Sequence, residues 1–327
     1  GALAGSAAET IVSYTTDAHL GAHATVHASV LDDSGKLVGG SAQINAKSSF
    51  EHVGEAAGLA GSGTVAIGLS NDTTYLTQDT RAYVGKEAWL SADKGIAVHA
   101  EHTTDITNAV VAGGFAGTVA VNGGVGVNKL RDTTLAFVDE GAKLWLHGTT
   151  DASGKAAVID ISAMDTTTIS SGNGGAAVGV SAVGAGAAVS VNNIVKDTQA
   201  YVGKGALVYY SAPGLGKDNK ASLSASNTEK IYGMVLQGSG GLYAGLAGAV
   251  NVNDLSITTK AFTDTGVSIT SGSLAVEATH NIDQLTGTVI GVSAGVGSIG
   301  AAVDVATIDS QTNAYIGDSN TVQTTGT

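Results

Sequence analysis

The sequence predicts an all-β chain wound into a parallel β-helix solenoid, and three observations predict it. A degenerate repeat runs through the 327 residues, glycine is spread through every copy, and β-branched residues alternate with small ones. The repeat is punctuated by an aromatic that follows alanine: Ala82-Tyr83-Val84-Gly85, Ala136-Phe137-Val138-Asp139, Ala200-Tyr201-Val202-Gly203, Ala261-Phe262-Thr263-Asp264 and Ala314-Tyr315-Ile316-Gly317. A weaker sixth copy is Ala18-His19-Leu20-Gly21. Self-similarity of this kind marks a stacked architecture, in which each unit buries its apolar face against the next.

The repeat has an internal ruler. The aromatics at 83, 137, 201, 262 and 315 are 54, 64, 61 and 53 residues apart, giving units over 19–82, 83–136, 137–200, 201–261 and 262–314. Each unit also carries a polar segment entered through an alanine: Ala46, Ala100, Ala163, Ala225 and Ala278. From that alanine to the next aromatic the distance is 37, 37, 38, 37 and 37 residues; from the aromatic, or His19, to the alanine it is 27, 17, 26, 24 and 16. One part of the unit is therefore fixed in length and the other accepts insertions. The insertions, near 32–36, 149–155 and 213–220, are rich in Asp, Asn, Gly, Ser and Lys, and Pro213 is the only proline of the chain. Such residues turn the chain through local hydrogen bonds or positive φ, and surface loops tolerate length changes at little cost.

Between the landmarks the period is two. Val119/Val121, Val125/Val127, Val189/Val191 and Val250/Val252 alternate with Ala, Asn, Gly and Ser, which reads as strand. The 47 glycines oppose helix, each interior one costing about 1 kcal/mol. With coils of about 18–20 residues, the expectation is about three coils per repeat of 53–64 residues. About sixteen such coils at ~4.8 Å would make a rod of roughly 80 Å. Handedness is expected to be right, from the usual crossover rule.

Composition narrows the function. No cysteine is present, so disulfides, zinc-thiolate sites and a cysteine nucleophile are excluded. The formal charge of −13 opposes nucleic acid and anionic lipid as partners. The charge-free runs 110–128 and 174–195 raise a membrane span, but Gly, Ala, Ser and Asn make them weakly hydrophobic, and no span is expected. The chain opens in mid-pattern without a visible signal peptide and reads as one segment, 1–327, of something longer.

Candidate chemistry is sparse. His19, His23 and His27 lie four apart in a strand-like setting, too far from one another to share a metal. His102 and His280 recur in equivalent places, which repeat descent explains. Asn128, Asn192 and Asn253 all precede an aromatic by nine residues; at three coils apart they should bond backbone rather than each other. Asp79, Asp132 and Asp197, each followed by threonine, read as turns into the next strand, and Asp165-Thr166-Thr167-Thr168 as exposed strand. Calcium takes oxygen ligands, yet neither the GGxGxDxxx nonapeptide nor an EF-hand loop occurs, so no cofactor or metal is expected. No nucleophile elbow, Ser-His-Asp set or phosphate loop stands out, and the expectation is that the chain is not an enzyme. Partner contacts, if made, should lie on the inserted loops, at Asp32, Asp33, Lys36, Asp151, Lys155, Lys217, Asp218 and Lys220.

The alternation of Gly/Ala-rich strings with Val191-Asn192-Asn193-Ile194 and the run Asp197-Thr198-Gln199-Ala200-Tyr201-Val202-Gly203-Lys204-Gly205-Ala206 resembles the large filamentous-haemagglutinin-like and leukotoxin-like adhesins of Gram-negative bacteria. The resemblance extends over essentially the whole chain. It implies a right-handed parallel β-helix, two-partner secretion through an outer-membrane export partner, location outside the cell or on its surface, and a role as adhesin shaft. A host protein or glycan is the expected partner class, with end-to-end self-association at exposed strand edges. A polysaccharide-degrading β-helix enzyme is the less favoured alternative.

Overall fold

A computed structural model describes residues 1–31, 33, 34, 37–212 and 214–325. These residues form nineteen strands and no helix. The first coil comprises β1 (Ala2–Leu20), β2 (Thr25–His27), a hairpin of β3 (Ser29–Leu31) and β4 (Leu37–Gly39), and β5 (Ala42–Ser62). The second comprises β6 (Val65–Val84), β7 (Trp89–Ala92) and β8 (Ile96–Ala116), and the third β9 (Val119–Val138), β10 (Lys143–Leu146) and β11 (Ile159–Gly179). The fourth is β12 (Val183–Val202), β13 (Leu207–Tyr210) and β14 (Lys220–Gly241), and the fifth β15 (Ala244–Thr263), β16 (Ser268–Ser271) and β17 (Ser273–Ala294). β18 (Gly297–Ile316) and β19 (Thr321–Thr324) begin a sixth. The strands stack as three parallel sheets, in the orders β1-β6-β9-β12-β15-β18, β2-β7-β10-β13-β16-β19 and β5-β8-β11-β14-β17. The expected parallel β-helix is present.

The coil is three times longer than the sequence reading expected. Tyr83 pairs directly with Phe137, and Phe137 with Tyr201, so one repeat is one coil. Three short coils per repeat are ruled out because the strands are about twenty residues long, with glycines inside them. The shape changes accordingly. Six strand levels rise only about 24 Å, while a twenty-residue strand spans roughly 66 Å. The result is a broad blade, not an 80 Å rod.

The ruler now has a physical meaning. The fixed part is two long strands joined by a tight turn, and the variable part is the short sheet with its corner. The single 38-residue interval carries its extra residue in a turn: residues 180–182 join β11 to β12, where two residues suffice elsewhere. In the fifth coil an irregularity between Glu229 and Lys230 passes Asp283 of β17 out of register.

The blade tapers. At the turn edge the long sheets meet over Ala60, Ala66, Ala116, Ala120 and Ala177. A Cβ on Gly58 would lie 1.9 Å from the Leu69 carbonyl oxygen, so the approach there demands glycine. At the opposite edge the short sheet wedges the long ones apart, and larger side chains such as Leu144, Leu146, Ile159, Ile161 and Tyr210 fill the space. The runs 110–128 and 174–195 are the strands and turns of the thin edge. The alternating valines that marked the strands point outward, while Ala, Gly and Asn point inward: Val125 is 37% exposed and Asn128 is buried.

Stacking at one-coil spacing aligns like residues. Inward ladders run through Thr80, Thr134, Thr198 and Thr259, and through Ala82, Ala136, Ala200 and Ala261. The punctuating aromatics form an outer ladder with His19: rings 19, 83, 137, 201, 262 and 315 stack at 4.7–5.1 Å centroid separation.

Candidate functional site

Two places concentrate chemistry: an exterior corner and an interior seam. The corner is where the chain passes from the short sheet to the second long sheet, and all three insertions fall there. The loops of the third and fourth coils are knitted together. Asn219 is buried and donates from Nδ2 to the carbonyls of Thr149 (2.7 Å) and Ala157 (3.2 Å). The Lys220 carbonyl accepts from Tyr210 Oη within the fourth coil, and the Lys217 carbonyl accepts from Ser273 Oγ of the fifth, both at 2.6 Å. The side chains of Lys217 and Lys220, with Asp218, are exposed, as are Asp33 and Lys155. Asp151 shapes its own loop: Oδ1 accepts from Ser153 N, Ser153 Oγ and Lys155 N at 2.8–2.9 Å. The Ser153 side-chain bond is the main reason its pKa is lowered. Asp32, Lys36 and Pro213 lie outside the described residues.

The second coil has only a tight corner at Asp93–Gly95. Flanked by the longer corners of the first and third coils, it leaves a cleft of about 350 Å³ lined by Gln43, Lys94, His99, Asp151, Ser153 and Asp160 among others. His99 Nε2 lies 2.8 Å from Asp160 Oδ2 within it. On the outer face of the adjoining short sheet sit His27, Trp89, Trp145, His147 and Tyr209, with Trp89 and Trp145 stacked at 5.7 Å. Loop chemistry pointed to the corner, but the cleft was invisible in the sequence, because it is made by a missing insertion.

The seam runs up the inside of the blade. Its first wall is Tyr14, Gln78, Asp132 and Lys196 in successive coils. Facing it are Ser48, His102, Asp165, Asn227 and His280, with Thr104, Thr167 and Glu229 one inward position further along. His102 is held by Ser48 Oγ at Nδ1 and Thr104 Oγ1 at Nε2, each 2.7 Å. Asp165 Oδ2 accepts from Thr134 Oγ1 at 3.0 Å, and Asp165 Oδ1 accepts from Lys196 Nζ at 2.5 Å. Glu229 lies 3.4 Å from Lys196 Nζ through Oε1 and 2.7 Å from His280 Nε2 through Oε2. Asp132, 1% exposed, has no hydrogen-bond partner among the described residues for either carboxylate oxygen.

Burial sets the electrostatics. It raises the pKa of Asp132 to about 8, with the Asp165 charge adding to the effect, so burial favours the neutral acid far above the ordinary carboxylate range. Burial lowers the pKa of His102. For Lys196 burial disfavours the ammonium, but Asp165, Glu229 and Asp132 outweigh it and the net direction is upward. His102, Asp132 and Asp165 place one ligand atom each within 4.8 Å of one another, a spacing that suits a metal ion. Both nitrogens of His102 and both oxygens of Asp165 are already engaged, and the cation facing Asp165 is Lys196 itself.

The seam corrects several sequence readings. Asn128, Asn192 and Asn253 do form a ladder, Nδ2 of each donating to Oδ1 of the next at 2.8 Å. None of Asp79, Asp132 and Asp197 is a turn residue: all three lie within long strands, and Asp132, paired with Gln78 and Lys196, is one position out of step with the other two. Because strands alternate faces, that single step turns it inward. Asp165 and Thr167 are buried rather than exposed.

No protein-family model matches this chain, and no curated protein or solved structure matches it.

Proposed function

We propose that the chain is a structural shaft segment of a secreted or cell-surface bacterial filament, built to hold other elements away from the cell. One observation carries this reading: strands of about twenty residues pair residue for residue through successive coils, so the main partner of every coil is another coil. Backbone bonding repeated in this way stiffens the stack along its axis. The resemblance to filamentous adhesins supports the same role, with export through an outer-membrane partner, as does the negative charge, which disfavours adsorption to nucleic acid. No catalytic role toward an external substrate is proposed. The carboxylates that cluster, Asp132, Asp165 and Glu229, are sealed inside, where no polysaccharide reaches.

The corner favours a second reading, a receptor- or glycan-binding module. Trp89, Trp145 and Tyr209 beside a polar cleft are the surface that sugar recognition uses, apolar ring area next to hydrogen-bonding groups. Binding of the purified chain to panels of glycans and host surface proteins separates the readings. A shaft gives no saturable binding. Saturable binding that disappears when 149–157 is replaced by a tight corner overturns the shaft reading in favour of the module. Electron microscopy of tandemly fused copies should show stacks of constant width that lengthen by about 5 Å per added coil.

A further inference from the structure

A lysine sealed in a protein interior against two carboxylates is an unusual element in a scaffold whose other ladders are hydroxyl, amide and alkyl. Lys196 reaches from β12 across the interior to Asp165 on β11 in the preceding coil. Its Nζ is 2.5 Å from Asp165 Oδ1 and 3.4 Å from Glu229 Oε1, and all three side chains have no solvent exposure. An apolar layer of Leu130, Ile169, Ile194 and Ile231 lies one inward position away, and on the other side runs the threonine ladder. Taking an ion pair out of water costs several kcal/mol per ion, and geometry has to repay it. A neutral amide carries no such cost.

We infer that Lys196 and Asp165 are joined by an intramolecular amide bond, with Glu229 and Asp132 as the catalytic pair that forms it. The reaction balances without any co-reactant. The Lys196 ammonium gives one proton to Glu229, which lies beside it. The freed lone pair of Nζ forms a bond to Asp165 Cγ. One Cγ–O bond then breaks and the oxygen leaves as water, taking one proton from the Asp132 carboxylic acid and a second from Nζ. Glu229 passes its proton to Asp132, so both return to their starting states, and the new amide keeps the last N–H.

Each group suits its step. One carboxylate oxygen of Asp132 lies within 4.8 Å of one of Asp165, and burial favours the protonated form of Asp132, so it is the acid placed to donate. Glu229 Oε1 lies 3.4 Å from Nζ, within reach of the ammonium proton. Asp165 and Glu229 hold the pKa of Lys196 up against its burial, so release of the amine is the demanding step, and Glu229 is the acceptor placed for it. Contact between nucleophile and carboxyl group supplies effective concentrations on the order of 10⁵ M or more. Exclusion of water favours condensation over hydrolysis. The bond would tie the two long sheets together between the third and fourth coils.

The test is the intact mass of the chain after full denaturation. The mass should lie one water below that of the sequence, and proteolysis should release a branched peptide joining the segments that contain Asp165 and Lys196, with no cleavage by trypsin after Lys196. Lys196→Arg and Glu229→Gln should both restore the full mass, with circular dichroism confirming that Glu229→Gln is still β-folded. The full sequence mass for the folded wild-type chain overturns the inference. So does a water loss confined to a linear peptide at Asp165-Thr166, which would be a succinimide.

Discussion

Asn192 donates to Asn253 at 2.8 Å while accepting from Asn128 at 2.8 Å, so one buried amide serves two coils at once. The arrangement is self-consistent only if every rung is an amide. Replacing Asn192 by Ala strands the Asn128 donor and the Asn253 acceptor in the interior, at about 1–3 kcal/mol for each unsatisfied group. Asn193→Ala is the control: its partner Asp254 is on the exposed outer face, and its loss should cost well under about 1 kcal/mol. Urea unfolding of the two variants measures the difference; equal costs would mean that the ladder does not carry the stability assigned to it.

The taper makes a second expectation. Gly58→Ala puts a methyl 1.9 Å from the Leu69 carbonyl oxygen, which belongs to the opposite long sheet, so the sheets must part at their thinnest point. Overpacking of this kind costs about 1–3 kcal/mol. Gly61, three residues on in the same strand, has nothing within 4 Å of the added Cβ and no left-handed backbone. Gly61→Ala should therefore raise stability by roughly 0.5–1 kcal/mol, since glycine is a poor strand residue. Melting temperatures of the pair decide the point, and a common sign would refute the close-contact account.

How far the sequence could be read follows from what periodicity encodes. Alternation revealed strands and the landmarks revealed stacking, because both are local or strictly repeated properties. Coil length was misread, since a twenty-residue strand rich in Gly, such as Val119–Val138, looks like short strands broken by turns. Facing was the second loss. In most proteins valine points inward, but at the thin edge only Gly, Ala and Asn fit between the sheets, which places Val125 outside and Asn128 inside. The seam was hidden by the same parity problem: Asp132 and Asp79 look equivalent by motif and differ by one step, hence by face. The corner was half legible, its loops from turn chemistry and its cleft not at all.

The outer aromatic ladder should contribute coupling energy between coils. Phe137 stacks on Tyr83 at 4.7 Å and on Tyr201 at 4.9 Å, with planes within 3° of parallel. A double-mutant cycle with Tyr83→Ala and Phe137→Ala should give a coupling of about 0.5–1.5 kcal/mol beyond the sum of the two areas lost. The pair Tyr83 and Tyr201, one coil further apart and not in contact, should be additive within about 0.5 kcal/mol. Coupling of the same size in both pairs would point to a general loosening of the sheet rather than ring stacking.

The seam predicts how stability depends on pH. Asp132 has a folded pKa near 8 against an ordinary 3.8, with burial as the leading cause. Between those values the folded chain holds a proton that the unfolded chain has released, so the unfolded state binds fewer protons and stability must fall as pH rises. His102 works in the opposite sense: its folded pKa lies below the ordinary 6.5, so below pH 6.5 the unfolded state takes up a proton that the buried ring refuses, and stability there rises with pH. The two oppose each other in acid and separate above pH 6.5. Above pH 6.5 Asp132 should lower stability with a slope of up to about 1.4 kcal/mol per pH unit, falling to about half of that near pH 8. Urea unfolding of the wild-type chain at pH 6.5 and pH 8 should show this decline, and Asp132→Asn should remove it. A variant that keeps the wild-type slope over that interval would show that the neutral carboxylic acid inside the blade is not the group responsible.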